Sequence, residues 1–139
     1  MSQITFIDTQ FVVALVNERD EFHEPAVRIA RQYVGQPLLT TDGVLLEIGN
    51  ALARNFRQEA VGIIERFLTS ENITIVRLTP KLFDEGFSLF KSHADKHWGL
   101  VDCVSFVVMR QEFIQDALTV DHHFAQAGFN ALLLPAAGV

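Results

Sequence analysis

The chain has 139 residues, 49% of them hydrophobic, with a mean hydropathy of +0.21, which suits one compact domain over residues 1–139 with a substantial core. No apolar run reaches the about 18 to 20 residues that cross a bilayer, and the N-terminus lacks a basic region followed by an apolar stretch, so a cytoplasmic protein without membrane attachment is expected. The net charge of −6 excludes nucleic-acid binding by a generally basic surface and leaves room only for a local cationic groove.

Along the chain, strand-like and helix-like patterns alternate. Ile4 to Ile7 reads as a short buried strand and Thr9 to Val16 as one or two helical turns. The polar segment Asn17 to Glu24 reads as a solvated loop. Glu24 to Val34 has Val27, Ala30 and Val34 at helical spacing, with Pro25 in the first turn and Gly35 and Pro37 as stop signals. Leu38 to Thr41 is a second strand, followed by helices from Asp42 to about Phe56 and onward to about Leu68. Ile73 to Val76 is a third strand, and Pro80 opens a helix to about Ser92. Leu100 to Glu112 is apolar almost all round, which predicts an interior helix. Ala117 to Val120 and Ala131 to Leu134 complete five strands, separated by a short helix ending near Gly128. Such alternation predicts an α/β fold with a parallel sheet covered on both faces, a three-layer α/β/α arrangement.

Four acids stand where apolar elements end or within an apolar helix: Asp8, Glu47, Asp102 and Asp121. Each has a local reading. Asp8 and Asp121 can cap the helices they precede, and Asp102 can be the third residue of a helix capped at Gly99. Glu47 lies among Val44, Leu45, Leu46, Ile48, Ala51 and Leu52, and must either reach solvent or meet a partner that offsets its desolvation. Asn50 follows it at helical spacing, as Ser105 follows Asp102. Open parallel sheets bind ligands beyond the carboxyl ends of their strands, where Asp8 and Asp121 fall. If the four converge, their repulsion demands a cation, about 3 kcal/mol for each pair of charges ~5 Å apart, and an all-oxygen donor set suits Mg²⁺ or Mn²⁺ rather than zinc.

Of the five histidines, His93 and His97 flank Asp95, and His122 and His123 follow Asp121. A zinc site is disfavoured, solvent exposure is expected for most of them, and His122 or His123 is placed to touch a substrate phosphate. Cys103, the single cysteine, sits in an apolar stretch and is expected to be buried and inert. No Gly-rich phosphate loop, nucleophile elbow or CxxC pair is present.

The segments Phe6-Ile7-Asp8-Thr9, Thr40-Thr41-Asp42-Gly43-Val44-Leu45-Leu46-Glu47, Lys96 to Phe106 and Ala117 to Phe124 leading to Phe129 resemble, in order and spacing, the PIN-domain nucleases, in particular the VapC-type ribonuclease toxins. The resemblance covers nearly the whole chain. It implies a five-stranded parallel sheet in the order 3-2-1-4-5 and a metal-binding and catalytic set of Asp8, Glu47, Asp102 and Asp121, supported by Thr9, Asn50 and Ser105. One or two Mg²⁺ or Mn²⁺ ions, an RNA substrate, a small antitoxin and a homodimer are implied with it. Gln10 departs from the Asn or Ser that many relatives carry there. The function expected is a metal-dependent endoribonuclease, the toxin of a type II toxin-antitoxin pair. Arg54, Arg57, Lys91 and Lys96 are the candidate guides for the RNA backbone. The alternatives are a PIN-like module that binds RNA or protein without cutting, and a Mg²⁺-dependent phosphatase or phosphoacceptor using Asp8.

Overall fold

The computed structural model describes residues 3–135. Five parallel strands form one sheet: β1 (Thr5–Ile7), β2 (Leu38–Thr41), β3 (Ile73–Val76), β4 (Asp116–Leu118) and β5 (Asn130–Ala131), in the order β3-β2-β1-β4-β5. Seven helices among the described residues connect them: α1 (Thr9–Val16), α2 (His23–Gln32), α3 (Asp42–Leu52), α4 (Arg57–Thr69), α5 (Pro80–Ser92), α6 (Leu100–Gln111) and α7 (His122–Gln126). Successive side chains of a strand point to opposite faces, and Thr5, Phe6 and Ile7 are all buried, so both sides of the central strand are covered.

Several boundaries differ from the sequence reading for local reasons. The α2 helix begins at His23, one residue before Glu24, and ends at Gln32. Val34, expected on its apolar stripe, lies beyond the helix and is 77% exposed, next to Gly35 at φ +77°. The α3 helix stops at Leu52 rather than near Phe56. The last two strands are shifted as well. β4 starts at Asp116 and stops at Leu118, two residues short of Val120, and the next residue, Thr119, turns its hydroxyl to Asp8. β5 is Asn130–Ala131, not Ala131 to Leu134, although the Leu132 and Leu133 amides still donate to the carbonyls of Ala117 and Thr119.

Two packing features position the site. Gly86 in α5 lies against α6 so closely that a Cβ there would sit 2.5 Å from Val104 Cγ2. Phe106 of α6 meets Phe124 of α7 edge-on at 5.0 Å and Trp98 at 5.1 Å, while Phe124 lies 6.1 Å from Phe6 of β1. The Trp98 indole N–H donates to Gln126 Oε1 at 3.0 Å. This aromatic cluster fixes the N-terminal end of α6 and the start of α7 against the central strand, and those are the elements that carry Asp102 and Asp121.

Candidate functional site

β1 and β4 are neighbours, with Phe6 opposite Ala117 and Ile7 opposite Leu118. The chain leaves both strands at the same edge, where Asp8 and Thr119 follow directly. Asp8 is only 3% exposed. It occupies the cap position of α1 without its side chain capping that helix; its Oδ2 instead accepts a hydrogen bond of 2.7 Å from the Thr119 hydroxyl. Thr119 Oγ1 in turn accepts the Asp121 amide at 3.0 Å, so one buried hydroxyl ties two of the four acids together.

Thr41 caps α3 by accepting the Val44 amide at 3.2 Å, and the helix then carries Glu47 toward the same edge. Glu47 Oε1 accepts the Thr9 hydroxyl at 2.7 Å, which is the partner its apolar surroundings required. On α6, Asp102 Oδ2 accepts the Gly99 amide at 3.1 Å and lies 3.0 Å from His123 Nδ1. Asp121 Oδ1 accepts the His123 amide at 2.9 Å and lies 3.3 Å from His123 Nδ1. Hence Asp102 and Asp121 satisfy their local capping readings and also face one another. One ligand atom from each of Asp102, Asp121 and His123 lies within 4.8 Å of the others.

The electrostatics report the same convergence. Burial pushes the Asp8 carboxyl from 3.8 up to about 7, against the pull of the Thr119 hydroxyl and the Thr9 amide, and the charges of Asp102 and Asp121 raise it further. Glu47 is raised by burial, partly offset by Thr9, and also feels Asp102 and Asp121. Asp102 is raised by burial, with the Gly99 amide and His123 acting against it and Asp121 adding to it. Among the described residues no lysine or arginine forms an ion pair with any of the four. A crowd of carboxylates with raised proton affinity, each anchored through one oxygen, is a donor set that fits a hard divalent cation.

The supporting residues divide. Thr9 bonds Glu47, Asn50 is exposed on α3, and the Ser105 hydroxyl donates to the Val101 carbonyl of its own helix at 2.9 Å. The cations expected to guide RNA also have other engagements: Lys91 lies over the Phe87 ring at 4.9 Å and Lys96 pairs with Asp95 at 3.6 Å, while Arg54 and Arg57 are exposed. Cys103 is fully buried, and burial raises its thiol, as expected of an inert cysteine. Two expectations for the histidines need correction. His123 faces the acids rather than solvent, and His93 stacks on Trp98 at 4.8 Å. Thr119 and His123 are the participants that periodicity does not reveal; the Thr-x-Asp-x-His spacing over Thr119 to His123 is the signal that carried them.

A parallel sheet of this order, with acids gathered where β1 and β4 end, is the architecture of a PIN domain. Residues 5–130 match the family model described as PIN domain, and the chain belongs to that family. Its relatives include the 23S rRNA-specific endonuclease VapC20 of two Mycobacterium tuberculosis strains, Oshkosh and H37Rv, 30% identical over 126 residues that span 89% of this chain and 94% of the relative. The crystal structure of Mycobacterium tuberculosis VapC20, a Sarcin-Ricin loop cleaving toxin, superposes with a TM-score of 0.84 at 28% identity, covering 94% of this chain and 98% of that one.

Proposed function

We propose that this protein is a metal-dependent endoribonuclease that hydrolyses RNA phosphodiester bonds, the toxin of a type II toxin-antitoxin pair, acting through Asp8, Glu47, Asp102 and Asp121. The observation that carries the reading is that acids from four separate segments meet at one sheet edge, where Asp8 and Glu47 both feel the charges of Asp102 and Asp121. The family's metal dependence and the likeness to a 23S rRNA-specific endonuclease support it. The deep burial of Asp8 speaks against a phosphoacceptor, which needs a carboxylate that an incoming phosphate can reach.

Asp102 and Asp121, together with Asp8 and Glu47, would hold Mg²⁺ or Mn²⁺, one or two ions. Such an ion supplies an activated water at neutral pH and stabilises negative charge on phosphoryl oxygens. The protein's own contribution is orientation. Thr119 and Thr9 lock the carboxylates of Asp8 and Glu47, the Gly99 amide locks Asp102, and the His123 amide locks Asp121. The positive end of α6 beside Asp102 favours the approach of a phosphate. VapC20 cleaves the Sarcin-Ricin loop, which supports a folded RNA loop as the substrate class here.

The remaining features fit this reading. The chain works as a single domain in the cytoplasm, where its RNA lies, and a small antitoxin blocks the site. Among the described residues no helix is long and apolar enough to cross a membrane. Phe83, Phe87 and Phe90 form an exposed stripe along one face of α5, which supports a homodimer built on that helix. The test is cleavage of a mixed RNA pool with Mn²⁺ and with EDTA. Chelation, Asp8→Asn and Asp102→Asn are each expected to reduce cutting by about two orders of magnitude or more. Cutting that survives both substitutions would overturn the assignment.

A further inference from the structure

The imidazole of His123 is set into the acid cluster more firmly than a passing surface contact requires. Its Nδ1 lies 3.0 Å from Asp102 Oδ2 and 3.3 Å from Asp121 Oδ1. Adjacent ligands around a six-coordinate divalent ion with bonds near 2.1 Å stand about 3.0 Å apart, and about 3.4 Å apart around a four-coordinate one. The two histidine–carboxylate separations fall in this range, and one ligand atom from each of the three side chains lies within 4.8 Å of the others.

The backbone that carries the ring is held as well. The His123 amide is held by Asp121 Oδ1 at 2.9 Å, and the next residue, Phe124, is buried between Phe6 and Phe106. His122, one residue earlier, is exposed, because neighbouring residues in a helical turn point about 100° apart. Asp102 is in turn held by the Gly99 amide. The arrangement therefore presents one nitrogen and two carboxylates, three side chains from α6 and the start of α7, to a common point.

Resting on the metal-dependent reading above, we infer that His123 is a nitrogen ligand of the cation held by Asp102 and Asp121, and that it biases the site toward first-row transition ions over Mg²⁺. Coordination runs through the Nδ1 lone pair with the ring proton on Nε2. Imidazole adds affinity for transition ions, increasing from Mn²⁺ to Co²⁺, and adds little for Mg²⁺, which prefers oxygen. An all-carboxylate set would discriminate less.

The test uses the full-length protein loaded with Mn²⁺ and examined by pulsed electron paramagnetic resonance, which detects a coordinated nitrogen directly. Nitrogen modulation is expected in the native protein and in His122→Ala, and is lost in His123→Ala. Titration calorimetry with Co²⁺ and with Mg²⁺ provides the second readout: His123→Ala should weaken Co²⁺ binding by about tenfold or more while Mg²⁺ changes by less than about threefold. Bound Mn²⁺ without nitrogen modulation would overturn the inference and leave the metal-dependent nuclease standing. Equal weakening of both ions on His123→Ala would overturn it too. Equal strengthening would also overturn it, by making His123 a counter-charge that the cation displaces. If the native protein binds none of the three ions, the nuclease reading falls with it.

Discussion

Asp8→Asn is expected to make the metal-free protein more stable. In the folded chain the carboxyl of Asp8 sits at about 7 instead of 3.8, chiefly because it is buried. At about 1.4 kcal/mol per pH unit, keeping this group ionised at pH 7 or above costs the fold up to about 4 kcal/mol. The sign follows from proton uptake. Between pH 3.8 and about 7 the folded state binds a proton that the unfolded state has released, so native stability falls across that window as pH rises, and the loss is complete above it. Asparagine preserves the shape and can still accept the Thr119 hydroxyl, but its buried amide group needs a partner of its own, which returns part of the gain. A net increase of about 1 to 3 kcal/mol remains at pH 7.5 in EDTA, or roughly 3 to 10 °C in Tm. Thermal unfolding of both proteins from pH 4 to pH 8 checks this. The gap should favour the parent by about 1 to 3 kcal/mol at the acid end, where Asp8 is protonated, change sign as pH rises and level off in favour of the variant above about pH 7, and saturating Mn²⁺ should reverse it by stabilising only the native protein. A variant that melts lower than the parent in EDTA at pH 7.5, or a gap that ignores pH, would refute the reasoning and make Asp8 a structural residue.

Thr119→Val removes the hydroxyl shared by Asp8 and the Asp121 amide and should lower stability by about 1 to 3 kcal/mol, measured by urea unfolding, while Thr119→Ser retains most of it. Gly86→Ala places a methyl group 2.5 Å from Val104 Cγ2 and 3.2 Å from the Val104 backbone, and a loss of about 1 to 3 kcal/mol is expected. Since Val104 is two residues from Asp102 on α6, the same variant should cut RNA more slowly even at a temperature where circular dichroism shows it folded. Phe113 is 95% exposed with φ +57°, a left-handed conformation that costs a bulky residue about 1 kcal/mol, so Phe113→Gly should raise Tm by roughly 3 °C and leave cleavage unchanged.

Hydropathy patterning was enough to mark most of the elements, because local periodicity and stop signals act within a few residues. β3 at Ile73–Val76 and α5 at Pro80–Ser92 match their expected bounds, since each is an apolar run closed by clear punctuation. The ends of α3, β4 and β5 were not legible in this way. Nor was the bond by which the Thr119 hydroxyl reaches Asp8 across 111 positions of sequence. A local pattern contains no term for such a bond.

The amino-acid order by itself determined the α/β class and which carboxylates were out of place in their apolar surroundings, and the spacing of the motif blocks pointed to the PIN-like nucleases. Only the tertiary structure decided that these acids share one sheet edge, that Thr119 bridges two of them, that His123 faces Asp102 while His122 faces outward, and that Ser105 turns to its own backbone. The division has a physical cause. Whether a side chain is apolar or polar is a property of its residue, whereas a shift in proton affinity or a shared hydrogen bond depends on burial and on which distant groups the packing of strands β1 and β4 brings within reach.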